Sequence, residues 1–140
     1  MTEAMYETGT AVEVRAFHVM PGMPPPEGER HSHDYRLDVV VRRDRLDDRG
    51  MVVDLDALDA ALRAAASEVD GADLDEVIGT PLGIEAVTVE HFAAWLHARL
   101  ASPLQPLPGG VLAVRVWESP VAFGGYTAPL DPLSAGSSSA

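Results

Sequence analysis

Cysteine is missing from this 140-residue chain, and so is lysine: its ten basic residues are all arginine, set against 22 acidic ones, for a formal charge of −12. Without cysteine there are no disulfides and no thiolate nucleophile or metal ligand. No apolar run approaches the length of a membrane span, and Met1-Thr2-Glu3-Ala4 lacks the basic-then-apolar form of a signal peptide. A cytoplasmic protein is the expectation. Nucleic-acid binding depends on releasing counterions with basic side chains, so the charge argues against a nucleic-acid partner. A polyphosphate ligand is equally uncomfortable unless a few arginines gather at one site. With 46% hydrophobic residues, one domain with a real core is expected, over residues 1–128, followed by a low-complexity tail at 129–140.

Residues 1–9 read as a loose lead-in and 11–18 as a strand by alternation. Met20 to Glu29 is crowded with proline and glycine, which fits neither helix nor central strand; it is a loop leading into His31. Residues 33–44 form the longest expected strand. After the Asp47-Asp48-Arg49-Gly50 turn, Asp54 reads as the N-cap of a helix. Leu55, Leu58, Leu62, Ala65 and Val69 then recur at helical spacing up to Asp70-Gly71. Residues 72–87 read as a connection. Thr88 caps a second helix whose buried face holds Phe92, Trp95, Leu96 and Leu100, with His97 turned to solvent. Ser102 to Gly110 is a further connection, and Val111–Glu118 and Val121–Thr127 are the last strands. The order strand, strand, helix, helix, strand, strand predicts an α+β layer, four antiparallel strands with both helices on one face. Such a sheet leaves open edges, which pairing between subunits into a barrel would remove.

The chemistry-bearing feature is histidine. Side chains two apart on a strand share a face, so His31 and His33 of His-x-His reach one point in space. His18 ends the preceding strand on the face of Val12, Val14 and Ala16. If the two strands pair, three imidazoles converge and leave a fourth position open, the ligand count of a catalytic zinc site.

Four motifs in this order resemble the family of 6-pyruvoyltetrahydropterin and 6-carboxytetrahydropterin synthases over residues 11–128. They are Val14-Arg15-Ala16-Phe17-His18; His31-Ser32-His33 with Tyr35; Gly50-Met51-Val52-Val53-Asp54; and Thr88-Val89-Glu90-His91 with Ala93 and Trp95. Glu118 matches a late glutamate that grips the pterin in that family. The resemblance implies a tunnelling fold, trimers pairing into a hexamer with active sites at subunit interfaces, and zinc held by His18, His31 and His33. It also implies a lyase in which the metal acts as a Lewis acid beside a proton-shuttling base. Thr88, Glu90 and Glu118 are the substrate-binding residues it points to.

Two departures stand out. The family's cysteine base is absent, and Glu27 and Glu29 stand before the His-x-His in its place. The family's Asp-His pair reads Asp70-Gly71, so the aspartate has lost its histidine, and the asparagine that follows is Asp75. His91 is a candidate to replace the missing histidine, set against a surface imidazole in the first helical turn. Trp95 and Trp117 read as packing residues. Two enzyme readings follow: a zinc-dependent lyase acting on a pterin-like substrate, or a relative using the same metal for dehydration, aldol-type or cyclisation chemistry on an unphosphorylated carbonyl compound. A zinc-holding small-molecule binder without turnover is a third.

Overall fold

The computed structural model describes residues 4–130. Strands β1 (Tyr6–His18), β2 (His31–Arg43), β3 (Val111–Trp117) and β4 (Phe123–Pro129) form one antiparallel sheet in the order β1-β2-β3-β4. Helix α1 (Leu55–Val69), a π-helical turn at Asp75–Gly79, the short α2 (Thr80–Leu82) and α3 (Val89–Leu104) lie between β2 and β3 in sequence. The expected α+β layer is the observed one. No helix among the described residues is long and apolar enough to cross a membrane.

The β1–β2 register sets everything that follows. Val14 stands opposite Tyr35, Ala16 opposite His33 and His18 opposite His31. On β2, Tyr35, Leu37, Val39 and Val41 are buried beneath the helices, while Asp34 and Arg36 point to the other side. Leu58, Leu62 and Val69 of α1 and Phe92, Leu96 and Leu100 of α3 close the core from above; all six are fully buried. Both helices start where the sequence predicts. The Asp54 carboxylate accepts from the backbone N–H groups of Asp56 and Ala57, and the Thr88 hydroxyl accepts from that of His91.

Several boundaries differ from the sequence reading. β1 begins at Tyr6, inside the expected lead-in: its first half lies exposed against Val39–Arg43, so it carries no apolar alternation. The 72–87 connection contains the π-turn and α2, and it buries Leu74, Ile78 and Val87. α3 continues through Ser102 and Pro103 to Leu104, because Leu100 and Leu104 still face the core. Pro129 closes β4 and Leu130 is fully buried, its N–H bonded to Gly110 O at 2.8 Å, so the fold runs past residue 128. The rest of the expected tail, 131–140, lies outside the described residues. His97 is buried rather than solvent-facing: its Nε2–H donates to Ala128 O at 3.1 Å and its ring packs edge-on against Tyr126, tying α3 to β4.

Part of the β1 edge is covered within the chain. Asp70 Oδ1 accepts from Arg15 N–H at 3.0 Å, Gly71 N–H donates to Arg15 O, and Ala72 O accepts from Phe17 N–H at 2.9 Å. Residues 70–75 thus run along the site end of β1 as a makeshift fifth strand, with a parallel bridge between Phe17 and Asp73.

Candidate metal centre and active site

The core stripe of β2 does not stop at Tyr35. It continues through His33 to His31, and antiparallel pairing puts His18 beside them. One nitrogen from each ring falls within 4.8 Å of the other two. His31 Nε2 and His33 Nε2 are 3.1 Å apart. Zinc–nitrogen bonds of about 2.0–2.1 Å at tetrahedral angles would put such a pair roughly 3.3 Å apart, so the spacing suits a shared cation.

The far side of two of the rings is fixed. His18 Nδ1–H donates to Val87 O at 3.3 Å, and His31 Nδ1–H donates to Glu29 O at 2.8 Å. Each bond leaves Nε2 as the unprotonated, electron-donating nitrogen, the usual outer arrangement of a metal-binding histidine. His18 is 5% exposed, and its Nε2 is a buried polar atom with no partner. A buried nitrogen lone pair left unbonded costs free energy, and a cation would satisfy it. Burial, and then the neighbouring His18 and His31 rings, hold the His33 pKa below its usual value, which favours the neutral form a ligand must take. The residues present fit a zinc ion.

A chain of edge-to-face rings ties this end to the core. His31 meets His33 at 4.9 Å between centroids, His33 meets Tyr35 at 5.4 Å, and Tyr35 meets Phe92 at 5.3 Å. Tyr35 is 1% exposed, and burial, reinforced by Glu118 and Asp75, pushes its phenol pKa well up, so it stays neutral. The histidines are therefore seated on a rigid, packed base.

A cavity of about 480 Å³ opens over the three histidines. Met20, Met23 and Glu27 of the proline-rich loop line one side, Thr88, Val89 and Glu90 at the start of α3 another, and Glu118, Ala122 and Phe123 the third. The loop holds its shape through Met20 N–H donating to Glu27 O at 2.8 Å and Gly28 N–H donating to Pro24 O at 3.2 Å. Gly124 lets β4 close on α3: a β-carbon there would lie 2.6 Å from Val89 Cγ2 and 3.1 Å from Glu90 N, and Phe123 reaches the cavity as a result.

The structure thus gathers His18, His31, His33, Glu27, Thr88, Glu90 and Glu118 around one space. The negative charges of Glu118 and Glu27 both act on His33, in that order. Three sequence candidates play other parts in this chain. Glu29 touches the site through its backbone carbonyl on His31, not among the cavity-lining side chains. Asp70 uses its carboxylate to hold the Arg15 backbone and lines a shallow groove beside α1. Gly71, where the family histidine is missing, has φ +74°, a left-handed turn that suits glycine. His91 completes the capping box of α3, its Nδ1 accepting from Thr88 N–H at 3.2 Å, and its ring lines an apolar groove with Val77, Pro81 and Trp95. The cue was present: Thr88-x-x-His91 is a capping box with histidine in the position usually held by glutamate.

The profile of the family described as 6-pyruvoyl tetrahydropterin synthase matches residues 10–129. The chain belongs to this family. Among curated proteins, the 6-carboxy-5,6,7,8-tetrahydropterin synthase of Synechocystis is 32% identical over 127 residues, covering 84% of this chain and 93% of that protein. Among solved structures, the Caenorhabditis elegans 6-pyruvoyl tetrahydropterin synthase superposes with a TM-score of 0.70 at 18% identity, covering 91% of this chain and 99% of the other. The Plasmodium vivax synthase gives 0.69 at 14% identity over the same shares of the two chains, in variants of a glutamate described there as a catalytic residue. These structural neighbours carry the pterin synthase fold at low identity, and the four-stranded sheet with its helices is that fold.

Proposed function

We propose that the chain is a zinc-dependent lyase of the pterin synthase type, with His18, His31 and His33 as the metal ligands. The observation that carries this reading is the convergence of three imidazole nitrogens on one point, one of them buried and unpartnered. Bound zinc supplies Lewis-acid polarisation of a carbonyl or hydroxyl oxygen, making protons on the adjacent carbon acidic. The work left to the chain is to move those protons and to hold the substrate. Glu27, on the loop beside the histidines, is the base: it lines the cavity where the family carries its cysteine, and a catalytic glutamate in the Plasmodium vivax synthase supports that exchange. Glu118 and Glu90, with the Thr88 hydroxyl, offer acceptors to the N–H-rich edge of a pterin-like heterocycle. Phe123 lines the cavity, and both it and the nearby Val121 are exposed. A second copy of the chain closing that side accords with an oligomeric family.

One observation favours the second reading, an unphosphorylated substrate. The cavity is lined by three carboxylates and by no arginine. In the depression that adjoins it through His33 and Glu118, Arg15 and Arg36 are paired with Asp34 and Asp38. A polyanionic triphosphate meets net negative charge in both.

Metal analysis of freshly purified protein tests the centre, with about one zinc per chain expected. Incubation of the zinc-loaded protein with dihydroneopterin triphosphate, followed by phosphate assay and mass spectrometry, separates the readings. Released triphosphate supports the first. Conversion of an unphosphorylated pterin or carbonyl compound alone supports the second. Zinc-free protein and no product with either substrate would sink both.

A further inference from the structure

Asp75 opens the π-helical turn, and its carboxylate spans two segments that meet at His18. Oδ2 accepts from Val19 N–H at 3.0 Å, and Oδ1 accepts from Val87 N–H at 3.0 Å. Val19 follows His18 in the chain, and Val87 is the residue whose carbonyl takes the His18 Nδ1 proton. One side chain therefore bonds both the peptide N–H that follows the imidazole-bearing residue and the N–H of the residue whose carbonyl orients the ring. We propose that Asp75 is the positioning residue for His18, setting its tautomer and ring direction so that Nε2 faces the metal. The inference rests on the zinc reading for its purpose, but not for its geometry.

The need for such a residue shows in the contrast with His31. The carbonyl that holds His31 belongs to Glu29, two residues away on the same stretch of chain, and comes into place with β2 itself. The carbonyl that holds His18 comes from 69 residues along the chain. Packing of the buried Val87 side chain and the Asp75 carboxylate on its N–H together keep it there. Asp75 is itself anchored: its N–H donates to Asp73 Oδ1 at 2.9 Å, and its carbonyl accepts from the Thr80 hydroxyl at 3.2 Å. A π-turn is a costly local geometry often found at functional sites, and here it aims this carboxylate. An ionised carboxylate has acceptors on both oxygens and no donor, so it satisfies two N–H groups at once. Asparagine satisfies one and turns an amide N–H₂ toward the other.

The test compares wild type, Asp75→Asn and Asp75→Ala. Ring-nitrogen NMR on the metal-free proteins, with His18 assigned from a His18→Gln spectrum, reads the tautomer. Competition with a chromogenic chelator reads zinc affinity, and thermal unfolding of the metal-free proteins reads stability. Loss of the outer-shell tie is expected to weaken zinc binding roughly 10–100-fold in Asp75→Ala, with a smaller loss in Asp75→Asn, and to abolish the preference for Nδ1–H at His18. Wild-type affinity and tautomer in the variants overturn the proposal, even where the melting temperature falls, because a mere staple of the 70–87 segment would move stability alone. If Asp75→Ala does not fold, Asp75→Asn decides on the same two readings. If wild type takes up no zinc, the zinc reading fails separately, and the His18 tautomer alone decides for or against Asp75.

Discussion

Along one face of β2 the same stripe of side chains does two different things. From Tyr35 to Val41 it is dry, covered by α1 and α3, and every residue on it is buried and apolar apart from the tyrosine hydroxyl. From His33 to His31 it passes beyond the helices and becomes half-buried and polar, with His18 closing the group from β1. The first half derives stability from burial. The second gives up some of that stabilisation to hold an unpartnered nitrogen and three imidazole rings side by side. Tyr35 stands at the border, packed against His33 on one side and Phe92 on the other. The proposed metal site is thus the end of the core: the packing that makes the sheet also limits where the imidazoles can turn.

Substitutions that act on one half and spare the other sharpen this picture. The largest effect is expected from His33→Ala, which should abolish stoichiometric zinc in elemental analysis while far-ultraviolet circular dichroism stays native; retained zinc would remove His33 from the ligand set. Glu27→Gln should lower turnover by roughly 10²–10⁴-fold with zinc retained, since it removes a general base and no ligand. On the dry half, Phe92→Ala should cost about 3–5 kcal/mol in chemical denaturation, the loss of a fully buried aromatic. If it instead removed zinc without loss of stability, the two halves would not be separable in this way. His97→Ala should cost about 1–3 kcal/mol, from the lost hydrogen bond to Ala128 O and the lost packing on Tyr126, with zinc binding unchanged. The smallest effect is expected at the partly exposed Asp59 of α1. Hydrogen bonds from Arg63 and then Thr10 hold its pKa below the ordinary 3.8. A carboxylate with a depressed folded pKa stabilises the fold above its unfolded pKa, and that contribution is lost as pH falls through the folded value. Asp59→Asn should therefore leave stability near neutral pH almost unchanged and slightly flatten its decline below about pH 4. An NMR titration should find the Asp59 carboxyl titrating below the usual range.

The other face of the sheet sets a limit on such arguments. Arg15–Asp34, Arg36–Asp38 and Arg42–Glu7 form ion pairs there, all between groups with substantial exposure. Exposed pairs of this kind contribute little to stability. They make the face polar and committed in charge, the property that matters for what can bind next to Glu118.

The periodicities of the chain were enough to place the two hairpin strands, both main helices with their caps, and the shared face of His31 and His33, because a side chain's direction repeats every two residues on a strand and about every 3.6 on a helix. Four motifs in order carried the family. Local pattern could not say that Tyr6–Thr10 pairs with the end of β2, since an exposed strand edge shows no alternation, nor that His97 turns inward to Ala128. His91 needed the helix start in three dimensions before its ring could be seen capping Thr88, away from the cavity. The role of Asp75 lay furthest from view: it joins positions 19, 75 and 87, and hydrogen bonds between segments so far apart exist only once the chain has closed on itself. The sequence alone determined which residues lie on each face; tertiary structure decided which of them meet, because contact between distant segments depends on register and packing that no local spacing encodes.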